Sequence, residues 1–383
     1  MAPAFGDASG AVADLGVLVP IATALILSNG LDAGTVLVGA GALYIAAGLY
    51  LRVPVPVQPI KAAAAIAIAR DLPPATIAAA GVMLGLILVA LSTTGLARWL
   101  ARVFTTPIVR GLQLGVGLLL VASALRLPAR PVPASIWVTA AICVVLLVIA
   151  ARRRNWPMAL AIVAGGIVWS LVTSPQGIAL RPEAWQPRIL GDVFRPAVLW
   201  SAFTVLVIPQ IPLTFGNAVV AITDLEHRFF GTRASRVTPA RIGLSCGLAN
   251  VIAGSLGGMP MCHGSGGLSA HYRAGARSYR MNLLIGVPLL ILGLGFGATA
   301  FSLLALIPVA ALVGLLAFTG VMHSLLVLDL RGHELGVALA MGVVGLWTSN
   351  LAIALAVGLG LVWLPSLLRR TRGRLDASRR PVQ

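Results

Sequence analysis

The stretch Val53-Pro54-Val55-Pro56-Val57-Gln58-Pro59-Ile60-Lys61, running on through Ala62-Ala63-Ala64-Ala65-Ile66-Ala67-Ile68-Ala69, decides the fold class. Prolines at 54, 56 and 59 forbid a continuous helix and push the residues before them into extended backbone. The helical run at 59–70 is too short to cross a bilayer, which takes about 20 residues. Extended backbone leading into half a helix, inside an apolar chain, survives only where protein buries it or a wet cavity borders it. Pro59 suits the first helical position, with Gln58 as the cap. The free N–H groups of that first turn carry partial positive charge and suit an anion. Lys61 adds a full charge in the same turn, and the alanine run lets another helix approach closely. A lysine at this depth reads as a functional residue by default. An ion pair with Asp14, or snorkelling to the interface, is the structural alternative.

A second stretch repeats this physics with different residues: Gly257-Gly258-Met259-Pro260-Met261-Cys262-His263-Gly264, leading into a short segment at 262–271. Gly257, Gly258, Gly264, Gly266 and Gly267 remove side chains, so backbone amides can approach a ligand. Cys262, His263 and Ser265 are expected at the start of the short helix. His263 can donate to an oxyanion or titrate near neutrality, which makes it a candidate for proton coupling; a packing histidine is the alternative. No dinucleotide fingerprint is spelled, because no strand precedes Gly264 and Ser269 replaces the last glycine. Paired interrupted segments at matching positions of two halves point to the binding site of a transporter built as an inverted repeat.

The surrounding composition fits lipid as the solvent. Of 383 residues, 58% are hydrophobic and 10% charged, and mean hydropathy is +0.97; a soluble domain carries about a quarter charged residues. The first ten residues hold no lysine or arginine, so the first apolar stretch is expected to remain as a span rather than be cleaved. Helices are expected near 11–29, 33–51, 59–70, 75–97, 107–125, 134–151, 156–173, 196–222, 238–255, 262–271, 281–303, 306–328, 333–347 and 349–368. With the N-terminus in the cytoplasm, these fourteen segments place 21 arginines inside and 6 outside, the asymmetry expected of an integral membrane protein. Both termini are then cytoplasmic and the membrane is the plasma (inner) membrane. Residues 1–173 form a first repeat, 174–195 a linker, 196–368 a second repeat in the opposite orientation, and 369–383 a basic tail near anionic lipid.

The net charge of +17 is therefore topological, and no nucleic acid is expected as a partner. Cys143, Cys246 and Cys262 show no pairing pattern, so neither disulfides nor a metal site is supported. No cofactor is expected. Three further polar features lie inside spans. Asp14 lines the site, accepts a proton, or caps a helix. Gln210, Thr214 and Asn217, in a proline-broken helix, fall on one face at i, i+4 and i+7, either lining a cavity or bonding between helices. Asp224, Glu226 and His227 sit at the cytoplasmic end of that helix as salt-bridge partners. His271, His323 and His333 are taken as structural.

The strings PVPVQPIKAAAAIAIA (54–69), IPQIPLTFGNAV (208–219) and GSLGGMPMCHGSGGLSAHYRAGARS (254–278) resemble the molybdate transporter family, a branch related to the SulP sulfate permeases. The opening GDASGAVADLGVLVPIATAL (6–25) is similar to its first helix. Ser265 and His271 depart from the family pattern. The resemblance implies an all-α membrane protein, a seven-plus-seven transmembrane inverted repeat of the uracil permease/SulP type with core and gate domains. It also implies a substrate held between the third and tenth helices, and no STAS domain. The expected function is alternating access for a tetrahedral oxyanion, molybdate first and sulfate next. Gln58, Lys61, Gln210, Thr214, Asn217, Gly258, Cys262, His263, Gly264 and Ser265 would replace its water shell, and Asp14 or His263 would serve proton coupling. Symport with protons or sodium, uniport, and a homodimer all stay open. A nucleobase or carboxylate carrier on the same fold is the alternative. No enzyme is expected, because the chain has no HExxH, nucleophile elbow or paired intramembrane carboxylates.

Overall fold

The computed structural model describes residues 3–13, 15–94, 105–128, 133–152, 158–173, 181–187 and 191–378. Within them, each of the fourteen expected segments is helical, with most ends shifted by a few residues; the eighth runs on to Phe230 and the last to Ser378, into the stretch expected as a basic tail. A helix not expected from the sequence, α1 (Pro3–Ala11), comes first. It is followed by α2 (Leu15–Asn29), α3 (Ala33–Leu51), α4 (Lys61–Ala69), α5 (Pro74–Thr94), α6 (Thr106–Arg126), α7 (Ala134–Arg152) and α8 (Met158–Thr173). The second half contributes α9 (196–230), α10 (Pro239–Ser255), α11 (Ser265–Arg273), α12 (Arg280–Phe296), α13 (Val309–Ser324), α14 (Gly332–Thr348) and α15 (Leu351–Ser378). Among the described residues, seven helices are long and apolar enough to cross a membrane.

Local chemistry sets the ends of these elements. Asp32 starts α3 by accepting the Thr35 N–H at 2.7 Å, the usual role of an N-cap carboxylate. Thr238 does the same for α10 through the Arg241 N–H at 3.2 Å, and Pro239 follows it at the first helical position. At the far end of α10, Gly257 takes φ +73°. The Gly257 N–H reaches Gly254 O at 3.0 Å, and the Gly258 N–H reaches Ala253 O at 2.7 Å. This paired turn consumes the last carbonyls of the helix. Gly258 is thus part of a helix stop packed beside Thr35, where its expected role was ligand contact. The glycine needed for φ > 0 is its neighbour.

The expectation of a broken helix at 196–222 is corrected. The segment is helical throughout, with wide π turns at Ala202–Val207 and Thr214–Ala221 around Ile208–Leu213. Pro209 and Pro212 lack an N–H and crowd the carbonyl four residues back, so the turns beside them widen instead of breaking.

Helices α3 and α12 pack along most of their length, as do α5 and α10, and α6 packs against both α13 and α14. Close approach depends on small residues. A Cβ on Gly85 would meet Gly247 O at 2.6 Å, and one on Gly247 would meet Gly85 O at 2.9 Å. Inside these pairs lies α4, with every residue from Ala62 to Ile68 buried. Near its C-terminus, Asn29 Nδ2 donates to Ala67 O of the helix and to Leu72 O just past it, each at 2.9 Å.

Candidate functional site

The two proline-led stretches meet. Gln58–Pro59 (β1) pairs antiparallel with Met261–Cys262 (β2), Gln58 opposite Cys262 and Pro59 opposite Met261. The Ile60 N–H donates to Pro260 O at 3.0 Å. A nine-residue helix leaves each strand, α4 from Lys61 and α11 from Ser265. The expected helix starts are therefore corrected. Ile60, not Gln58, is the N-cap of α4, and Gly264 is that of α11. Pro59 fits the strand because the bridge needs no N–H from it. Cys262 belongs to β2, and His263 lies between strand and helix.

Two side-chain amides from neighbouring helices hold these strands. Asn282, on α12, accepts the Val55 N–H at 2.9 Å and donates to Val55 O at 2.7 Å. Asn250, on α10, accepts the Met261 N–H at 2.7 Å and donates to Met261 O at 2.6 Å. Each amide closes a ring with one residue of extended backbone, supplying the partner that a third strand would give. Both asparagines are fully buried, where unpaired strand groups would be costly.

The side chains converge on the first turn of α4. Lys61 Nζ donates to Gln58 Oε1 at 2.5 Å. Gln210 Oε1 accepts the Ala63 N–H at 3.1 Å, and Gln210 Nε2 donates to Thr214 Oγ1 at 2.8 Å. The amides of Lys61 and Ala62 are first-turn groups with no acceptor in their own helix. Gly264 makes room at this point, since a Cβ there would collide with Gln58 Oε1 and sit 3.5 Å from Lys61 Nζ. A small cavity of about 30 Å³ opens here, with Lys61, Gln113, Gln210, Thr214, Cys262 and His323 as its polar or sulfur-bearing lining. Among the described residues no carboxylate lines it and no ion pair involves Lys61. The result is a pocket that gathers a lysine, the first turn of α4 and neutral polar side chains.

His263 is placed differently from its expected role. Its Nδ1 lies 2.8 Å from Pro56 O and its Nε2 lies 3.1 Å from Ser245 Oγ. Both ring nitrogens serve protein groups, with Nδ1–H donating to the carbonyl and Nε2 accepting from the hydroxyl. The ring is fully buried and ties the extended stretch to α10. Ser265 opens α11. Asp14 and the side chain of Asn217 lie outside the described residues.

With this geometry in place, likeness to known proteins becomes informative. A family model described as "Molybdate transporter of MFS superfamily" matches residues 6–120 and 202–322. Those segments contain both strands, both half-helices and the Pro209–Pro212 stretch. The chain belongs to the molybdate transporter family. It is similar to Molybdate transporter 2 of Arabidopsis thaliana, at 32% identity over 87% of this chain and 81% of that one. Molybdate transporter 1 of the same plant is 31% identical over 85% of this chain and 80% of that one. Among solved structures, the fold is similar to the transmembrane domain of a cyanobacterium bicarbonate transporter, BicA. The TM-score is 0.68 at 20% identity, covering 93% of this chain and 98% of that one. Murine Slc26a9 in the inward-facing state gives a TM-score of 0.64 at 15% identity, over 95% of this chain and 68% of that one. The molybdate transporter family chain is thus an all-α, multi-pass membrane protein with the SulP-type fold.

Three residues of this family member, Gln113, Asn250 and Asn282, lie at or around the pocket without having been singled out from sequence, and His323, taken there as structural, lines it. Gln113 on α6 and His323 on α13 line the cavity from outside the two motifs. Gln113 is further oriented by Arg110 Nη1, which donates to its Oε1 at 2.8 Å. Asn250 and Asn282 hold the strands. A polar side chain in an otherwise apolar span was the available signal for all four.

Proposed function

We propose that the protein is a secondary transporter that moves a tetrahedral oxyanion, molybdate first and sulfate next, by alternating access. The observation that carries this is the strand bridge between Gln58–Pro59 and Met261–Cys262, which sets two helix N-termini beside Lys61. Dehydrating a dianion costs of order ten kcal/mol or more, so no single partner suffices. Opposed helix ends, one ammonium, and the amides of Gln58, Gln113 and Gln210 form a plausible replacement shell. Cys262, Thr214, Gly264 and Ser265 complete it. A lining that, among the described residues, carries Lys61 and no carboxylate favours an anion over a cation or an acid-read nucleobase. The named relatives are transporters, which supports transport over enzymatic chemistry.

The inverted-repeat reading, with residues 1–173 and 196–368 as the copies, is supported by how the helices pair. Exchanging the halves turns the α3–α12 pair into the α10–α5 pair, and both are extensive contacts. The pocket is lined from α4, α6, α9 and α13, and α6 packs against both α4 and α13. A seam between two helix groups is where sliding of one past the other would open and close the site, the proposed core and gate. Cytoplasmic placement of both termini is supported by the arginine distribution, and the plasma (inner) membrane is proposed with it.

Uptake of labelled molybdate into proteoliposomes tests the reading. Saturable uptake that excess sulfate competes away is expected. Uptake no greater than in protein-free vesicles would sink it.

A further inference from the structure

We propose that the groove between α3 and α10 seats one acyl chain of an anionic phospholipid, with its phosphate held by Arg52 and Arg241. This groove has a volume of about 350 Å³ and is almost wholly apolar. Small side chains make it: Gly39, Ala42 and Ala46 on α3 face Ala249 on α10. Leu248 and Ile252 on its rim are 50% and 62% exposed, so it opens to the surface that meets lipid. From Thr35 to Tyr50, α3 rises about 22 Å, so the half nearest Tyr50 matches the depth of one leaflet.

The ends differ in a way that selects the occupant. At one, Trp185 Nε1 donates to Thr35 Oγ1 at 3.1 Å, a neutral cap. At the other, the Arg241 guanidinium carbon stands 5.9 Å from the Tyr50 ring centroid. Arg52 leaves α3 in a left-handed conformation, its guanidinium carbon 5.0 Å from the Tyr279 ring centroid. Both guanidinium groups are exposed, and among the described residues neither pairs with a carboxylate. Arg241 stands beside Tyr50 of the groove lining and Arg52 ends the helix two residues beyond it; among the described residues their contacts are aromatic rings and the Arg236 carbonyl, and a phosphodiester matches them. On the groove wall, Ser245 bonds His263, which holds Pro56. The lipid therefore sits two hydrogen bonds from the extended stretch that frames the pocket. The lipid seat does not depend on the transport reading.

Native mass spectrometry of the purified full chain, given equimolar palmitoyl-oleoyl phosphatidylglycerol and phosphatidylcholine, tests this. One retained phosphatidylglycerol is expected, preferred by about tenfold or more, the order that two arginines near an anionic headgroup supply. Ala46→Trp, on an exposed position of the groove, should abolish retention with the elution volume unchanged. Arg52→Gln with Arg241→Gln should bring the preference close to unity, and this double variant decides the question if Ala46→Trp does not fold. Undiminished retention in a folded Ala46→Trp protein would overturn the proposal. So would equal retention of the two lipids by the unmodified chain, or a dimer that covers the groove.

Discussion

Lys61 is tethered by an amide oxygen rather than a carboxylate, so its position is fixed while its charge stays available. That arrangement depends on Gly264, whose missing side chain lets Gln58 lie against the backbone. Gly264→Ala should displace Gln58, costing about 1–3 kcal/mol of stability through overpacking. Molybdate uptake should fall about tenfold or more, as expected for losing a hydrogen bond to a charged group. Proteoliposome flux together with a melting curve would show it, and full flux with the substitution in place would count against the tether. Gln58, Lys61, Gln210, Thr214 and Cys262 were legible because polar or kinked sequence stands out against alanine and leucine. For Gly258 and His263 the sequence left a structural and a ligand role side by side for a physical reason: in a glycine-rich turn, residues that end a helix and residues that meet a ligand look alike. Gln113 was passed over and His323 taken as structural, since each is a lone polar residue on an ordinary apolar helix and only packing brings it to the pocket.

At the scale of elements, the strands carry more than their two residues each suggest. Two short extended segments cannot supply enough partners to satisfy their own backbone, and Asn250 and Asn282 finish the task. Replacing Asn282 by Leu would leave the Val55 N–H and C=O unpaired in a dry interior, at about 1–3 kcal/mol for each orphaned group. A lowered melting midpoint is expected, and Asn250→Leu should behave alike through Met261. A midpoint unchanged in both variants would show that the strands do not need these clamps. Helix existence was readable throughout, because hydropathy sets the spans. The starts of α4 and α11 were not, because the bridge that makes Pro59 and Cys262 strand residues is a contact over some 200 positions. Nor were the π turns in α9. Proline announces a disturbance but does not say whether the helix will break or widen.

For the whole molecule, the arginine asymmetry predicts sidedness. A cysteine replacing Glu183, between the halves, should react with a membrane-impermeant maleimide in intact cells. One replacing the exposed Ser235 should react only after permeabilisation. Reaction of both from the same side would break the fourteen-crossing topology. The multi-pass helical class was legible from composition and spacing, and the SulP-type fold from the resemblance of the quoted strings, whereas which helices pack together needed coordinates. The central claim is that the bridged helix ends and Lys61 together hold the anion, and ligand-induced stabilisation tests it most directly. Molybdate at about 100 times its Kd should stabilise the purified protein by about 2.7 kcal/mol, read as a raised melting midpoint. Lys61→Ala should melt cooperatively on its own, yet show no shift with molybdate. A Lys61→Ala protein that gains as much from molybdate as the unmodified chain would place the anion elsewhere.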